Sequence, residues 1–152
     1  MTDTTISQSE LALSAEQAYE QALQTTLQMA TSHHLAGQIA QAAQLYRAVL
    51  QALPEQPQAN HGLGLLLLET ERPAEALPHL EAALAAKPES ELYWLGYIDA
   101  LAQNGQSELA RERLAFARQH GLEGDAANAL AARLSAARMA VTPSGVGLQR
   151  SA

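Results

Sequence analysis

Cysteine is absent from the 152 residues, and that absence excludes disulfide scaffolds, thiolate-bound zinc and thiol nucleophiles together. A cysteine-free chain also suits the reducing cytosol, so a cytoplasmic location is expected. Aromatic residues are scarce at 4%, although the hydrophobic share is 47%. Alanine and leucine therefore supply the apolar mass, which suits closely packed helices better than strands. Long apolar runs are missing as well. The four leucines Leu65–Leu68 fall far short of the ~20 residues a membrane span requires, and no membrane partner is expected. The opening MTDTTISQSELALS has no basic residue followed by an apolar run and does not resemble a secretory signal.

Positive charge is the next shortage. Residues 1–99 carry 12 acids against 3 bases, residues 100–152 carry 4 acids against 6 bases, and the chain totals −7. Phosphate contact needs clustered Lys and Arg, so no nucleic-acid partner is expected. Arg111, Arg113, Arg118, Arg133 and Arg138 are mostly interleaved with acids or alanines and read as solvated helix faces.

What is present is helical punctuation. Residues 1–13 are polar and without clear period, and are read as a flexible N-terminal segment. Ser14 with Gln17 has the form of a capping box, and Ala18, Ala22, Met29 and Ala30 follow at helical spacing, so a long helix is expected from Ser14 to Leu35. Gly37 marks a turn, and a second helix runs to Leu53, closed by Pro54. Helices follow from Pro57 to Thr70 and from Pro73 to just before Pro88. Another pair spans Ser90 to Gln103 and Gln106 to His120, with Asn104-Gly105 as its turn, and a last helix covers Gly124 to Met139. Residues 141–152 have no pattern and read as linker or tail. This gives about seven helices and an all-α fold.

The rhythm repeats every 34 residues. Pro54 and Pro88 share that offset, and Gly37, Glu71 and Gly105 fall in the turns. Ala42, Ala76 and Ala110 align, as do Tyr46, Leu80 and Leu114; Val49, Ala83 and Ala117; and Ala30, Gly64 and Ile98. Small residues recur where helices must approach and bulky ones where a gap must be filled. With Leu63-Gly64, Trp94, Tyr46 and the terminal prolines, the chain resembles the tetratricopeptide repeat family over about residues 23–122. Ile98 replaces a small residue of that pattern, and Leu122 replaces its third proline. The resemblance implies a right-handed superhelical α-solenoid of antiparallel helix pairs. Its repeats are about 23–56, 57–90 and 91–122, and 14–140 forms the domain. The helix 124–139 would cap the C-terminal end through Leu130 and Leu134. At the other end Leu11, Leu13 and Tyr19 of the first helix are candidates for homodimer contact.

No catalytic constellation is found. Gly62 and Gly64 lack both the preceding strand and the third glycine or Gly-Lys-Ser tail of a phosphate loop. His33, His34, His61, His79 and His120 show no i, i+4 pair and no neighbouring glutamate of a zinc protease. His34 and His61 could share a groove, but a polar lining role is the plainer reading. Serines lack a nucleophile-elbow setting, and Glu69 and Glu71 point to different helix faces. No metal, no cofactor and no enzyme activity are expected.

In the resembled family the first helices of the repeats line a groove that holds a peptide or a partner's helix. Carried over by register, that lining would be Leu27, Thr31 and His34; then His61, Leu65, Leu68 and Glu69; then Leu92, Leu95, Asp99 and Gln103. The basic clamp that some members use for a chaperone's C-terminal carboxylate is missing, since Leu27, Thr31, Gly62, Leu92 and Gly96 stand there. The asparagine ladder of long glycosyltransferase superhelices is missing too, with Gln28, Gly62 and Gly96 in its place. The expectation is a non-enzymatic interaction module, the N-terminal part of a larger bacterial protein such as a glycosyltransferase-like enzyme. The alternative is a free-standing secretion-type chaperone holding an unfolded effector segment.

Overall fold

The computed structural model describes residues 7–140, which form α1 (Gln8–Leu35), α2 (Ile39–Ala52), α3 (Pro57–Glu69), α4 (Pro73–Ala86), α5 (Glu91–Gln103), α6 (Ser107–Gln119) and α7 (Asp125–Ala140). The expected tail, 141–152, and the first six residues lie outside the described residues.

Local chemistry sets most boundaries. Pro57 and Pro73 open α3 and α4, where a missing N–H costs nothing and the fixed φ is already helical. Gln56 Oε1 accepts from the Ala59 amide at 2.6 Å, and Ser90 Oγ caps α5 at Tyr93. The start of α1 differs from the sequence expectation. Its cap is Ser7, whose Oγ accepts from the Glu10 amide while the Ser7 amide donates to Glu10 Oε2 at 2.9 Å. Ser7 and Glu10 form the same reciprocal pattern that was sought at Ser14 and Gln17. Gln8–Leu13 is therefore helical, and α1 is 28 residues long, ~42 Å at 1.5 Å per residue. That is twice the length of the 14-residue α2, and residues 7–22 are exposed.

Packing follows the 34-residue period. α1 packs on α2, α3 on α4 and α5 on α6, while α2 meets α3 and α4 meets α5. The first helices also touch one another in a row, α1 to α3, α3 to α5 and α5 to α7, whereas α2, α4 and α6 make no such mutual contact. A stack that is close on one side and splayed on the other must curve, so the first helices form the concave face. The repeat columns fill the space between: Ala42, Ala76, Ala83, Ala110, Leu80, Ile98 and Tyr46 are all buried. Two glycines of α3 permit close approach: a Cβ on Gly62 would collide with Tyr46 Cζ, and one on Gly64 would stand 2.5 Å from Leu80 Cγ. Asn60, which the sequence did not single out, is buried but satisfied. Its Nδ2 donates to the Pro54 carbonyl and its Oδ1 accepts from His79 Nδ1, each at 2.9 Å.

The turn column carries one exception to ordinary chemistry. Gly37 and Gly105 have φ +72° and +80°, and Glu71 in the same place has φ +57°. Left-handed backbone costs a residue with a Cβ roughly 1–2 kcal/mol, partly offset by its smaller unfolded-state freedom. Glu71→Gly is expected to stabilise the chain by about 0.5–1 kcal/mol, read as a higher denaturant midpoint with an unchanged slope. Gly64→Leu gains ~0.8 kcal/mol of helix propensity but overpacks Leu80 by about 1–3 kcal/mol. It should lower the melting temperature; an unchanged melt would contradict the close approach of α3 and α4.

Candidate functional site in the concave face

The concave row begins at the C-terminal half of α1. Thr31 Oγ1 donates to the Leu27 carbonyl at 2.9 Å and lies 3.4 Å from the hydroxyl of the buried Tyr46. His34 Nε2 reaches Glu69 Oε1 at 2.8 Å, joining α1 to α3 across the repeat boundary. Two residues expected in the lining are instead core. Leu27 is 0% exposed and Leu68 is 8% exposed, and both belong to the cluster that unites α1, α2, α3 and α4. Adjacent first helices cover each other's flanks, and register alone does not separate a flank from an open face.

Farther along, the elements converge. His61 and Leu65 from α3, with Leu92, Leu95, Gly96 and Asp99 from α5, meet Ala126, Leu130 and Arg133 from α7 around a recess of ≈ 250 Å³. Leu92 is the most open of the leucines that line it, at 59%. Arg133 Nη2 donates to Asp99 Oδ1 at 2.5 Å, and Gln103 Nε2 donates to Asp99 Oδ2 at 3.0 Å. Gln103 is thus beside the recess and holds its rim without lining it. α7 is itself pinned from behind, since Arg111 Nη1 donates to the Leu134 carbonyl at 2.7 Å and Arg118 Nη2 to Asn128 Oδ1 at 2.8 Å.

The α7 residues were not among the expected lining, although a signal for them existed. Asp99 and Arg133 are 34 residues apart, and Leu92 with Ala126 and Gly96 with Leu130 share that offset. The helix expected to cap the stack keeps the register of a further first helix. Leu130 falls in the column of Gly62 and Gly96, but here the bulk comes from the column residue itself, which is 3% exposed, where Tyr46 and His61 supply it at the two glycines.

His61 has an unusual environment. It is 7% exposed, its ring lies 4.7 Å from the Tyr93 ring, and its Nε2 has no hydrogen-bond partner. A Cβ on Gly96 would come within 3.2 Å of that nitrogen, so the glycine is what admits the ring. Burial pushes the His61 imidazole below its ordinary value; a weak interaction with the Leu92 carbonyl works the other way, and the charge of His34 adds to the lowering. His79 is lowered too, first by burial and then by Arg47. Among the described residues no group of three or more His, Cys, Asp or Glu side chains is placed to hold a metal. No helix there is long and apolar enough to cross a membrane.

The folded-state values of both histidines lie below the unfolded value of 6.5. On acidification through 6.5 the unfolded chain therefore takes up protons first, and stability falls as pH falls. Denaturation at pH 7.5 and 5.5 should show that loss, and His61→Phe, which keeps a ring against Tyr93, should reduce it. An equal loss in the variant would remove His61 from the account.

The tetratricopeptide repeat family model matches residues 27–91 and 61–121. No curated protein matches the sequence significantly. Solved structures do. The first TPR of Spaghetti (RPAP3) bound to the HSP90 peptide SRMEEVD is 14% identical, with TM-score 0.71 over 78% of this chain and 94% of that one. The Sgt2 TPR domain from Aspergillus fumigatus is 14% identical, with TM-score 0.68 over 86% and 91%. The type III secretion translocator chaperone SycD of Yersinia enterocolitica is 17% identical, with TM-score 0.64 over 79% and 91%. At these identities the likeness concerns the fold. The all-helical architecture, the 34-residue register and the family match over more than half of the chain together place this protein in the tetratricopeptide repeat family.

Proposed function

We propose that the protein is a non-enzymatic interaction module whose concave face, formed by α1, α3, α5 and α7, holds an extended or helical segment of a partner protein. The observation that carries this reading is the open leucine-lined recess formed by α3, α5 and α7 on the side where the first helices touch in a row. Apolar anchors flanked by a few polar points are how grooves of this kind bind peptides. The peptide in the Spaghetti structure, SRMEEVD, is acidic, whereas the matching clamp positions here are Leu27, Thr31, Gly62, Leu92 and Gly96. With Glu69 and Asp99 on the same face, the segment this groove takes is of a different kind. The module belongs to a cytoplasmic bacterial protein and joins it to that partner, as the N-terminal part of a larger protein such as a glycosyltransferase-like enzyme. The long exposed stretch of α1, with Leu11, Leu13 and Tyr19 all more than half exposed, favours a second reading. In it the chain is a secretion-type chaperone that pairs through α1, and the likeness to SycD supports that alternative.

The test is capture of partners by the purified chain and by Leu92→Asp/Leu95→Glu, with Phe116→Ala as a convex-face control of similar exposure. Loss of about tenfold or more in affinity for the groove variant, with the control unchanged and both variants folded by circular dichroism, is the expected result. Recovery of the same partners at the same strength by the groove variant would overturn the proposal.

A further inference from the structure

We infer that the recess at the α7 end of the groove is an anchor pocket for one uncharged aliphatic side chain, of leucine or methionine size, in a partner segment that carries a basic residue beside it. The inference rests on the groove reading and narrows it. The recess, at ≈ 250 Å³, lies below the ~300–1,000 Å³ of sites that enclose a whole small molecule, and it is open on the groove side. Its size therefore fits a single side chain entering from a longer segment.

The walls decide which side chain. Leu65, Leu92, Leu95 and Leu130 supply aliphatic surface. The Asp99 carboxylate is already held on one oxygen by Arg133 and on the other by Gln103. No unmatched charge faces the recess, so a charged anchor would lose its hydration there without compensation. The remaining polar group is the buried His61 Nε2, which lacks a partner, whereas buried nitrogens of this kind are ordinarily hydrogen-bonded. Gly96 adds no side chain beside that ring, and both residues line the recess.

Charge sets the neighbour of the anchor. Glu69, paired with His34 on one oxygen, is half-exposed and lies one helical turn beyond Leu65 on α3. A lysine or arginine next to the anchor meets this face; an acidic neighbour is repelled.

A phage-displayed library of random peptides about twelve residues long, selected on the whole chain, tests the inference. The enriched peptides are synthesised with a fluorescent label and titrated by anisotropy. They should carry a Leu, Ile or Met next to Lys or Arg. Ala126→Trp, which fills the recess from an exposed position on α7, should weaken them by about tenfold or more, with Phe116→Ala unchanged. Leu92→Asp repeats the test should the tryptophan lower the melting temperature. Peptides that bind Ala126→Trp and Leu92→Asp as tightly as the wild type, or a selection that enriches nothing, overturn the anchor pocket. Among such insensitive peptides, those lost on Glu69→Lys leave the groove standing without the pocket, and those also indifferent to Glu69→Lys remove both.

Discussion

The structure depends on how closely α3 approaches its neighbours. On one side a Cβ on Gly62 would collide with the Tyr46 ring of α2, and on the other a Cβ on Gly64 would collide with Leu80 of α4. Two glycines in one helix are unfavourable on propensity alone, at ~1 kcal/mol each. They persist because each receives a large side chain into the space it leaves. α3 is thereby clamped between the first and second repeats, and every later helix is placed by stacking on it.

That clamp also makes the concave face. Because α1, α3, α5 and α7 touch in a row while α2, α4 and α6 do not, curvature turns the first helices inward. Gly96 extends the same device by one repeat, and there the space goes to the His61 ring. One column of small residues thus serves packing at Gly62 and admits a buried imidazole at Gly96. At Leu130 the column stops being small, and the leucine itself is buried in the core of the last helices. The sequence departs from its own repeat where the repeat ends.

Most of the fold was legible because its signals are local or strictly periodic. The prolines that follow α2 and α4, left-handed turns at Gly37 and Gly105, and the alanine column all recur at 34 residues. The start of α1 was missed because Ser14 and Ser7 present nearly the same capping chemistry, and only Ser7 has its reciprocal glutamate at Glu10. The site was legible in part. His61, Leu65, Leu92, Leu95 and Asp99 line one recess, whereas Leu27 and Leu68 are buried in the core. Flank burial depends on how closely first helices stack, which no single repeat encodes. Arg133 looked like a solvated charge, and its role appears only when the period is carried past the third repeat to Asp99.

The central claim is that binding occurs on the concave face. Hydrogen–deuterium exchange of the chain with and without a bound peptide tests it most directly. The account predicts slowed exchange in α3, α5 and the first half of α7, with α4 and α6 unchanged. Protection confined to α4 and α6, around Glu81, Leu84 and Arg113, would contradict it.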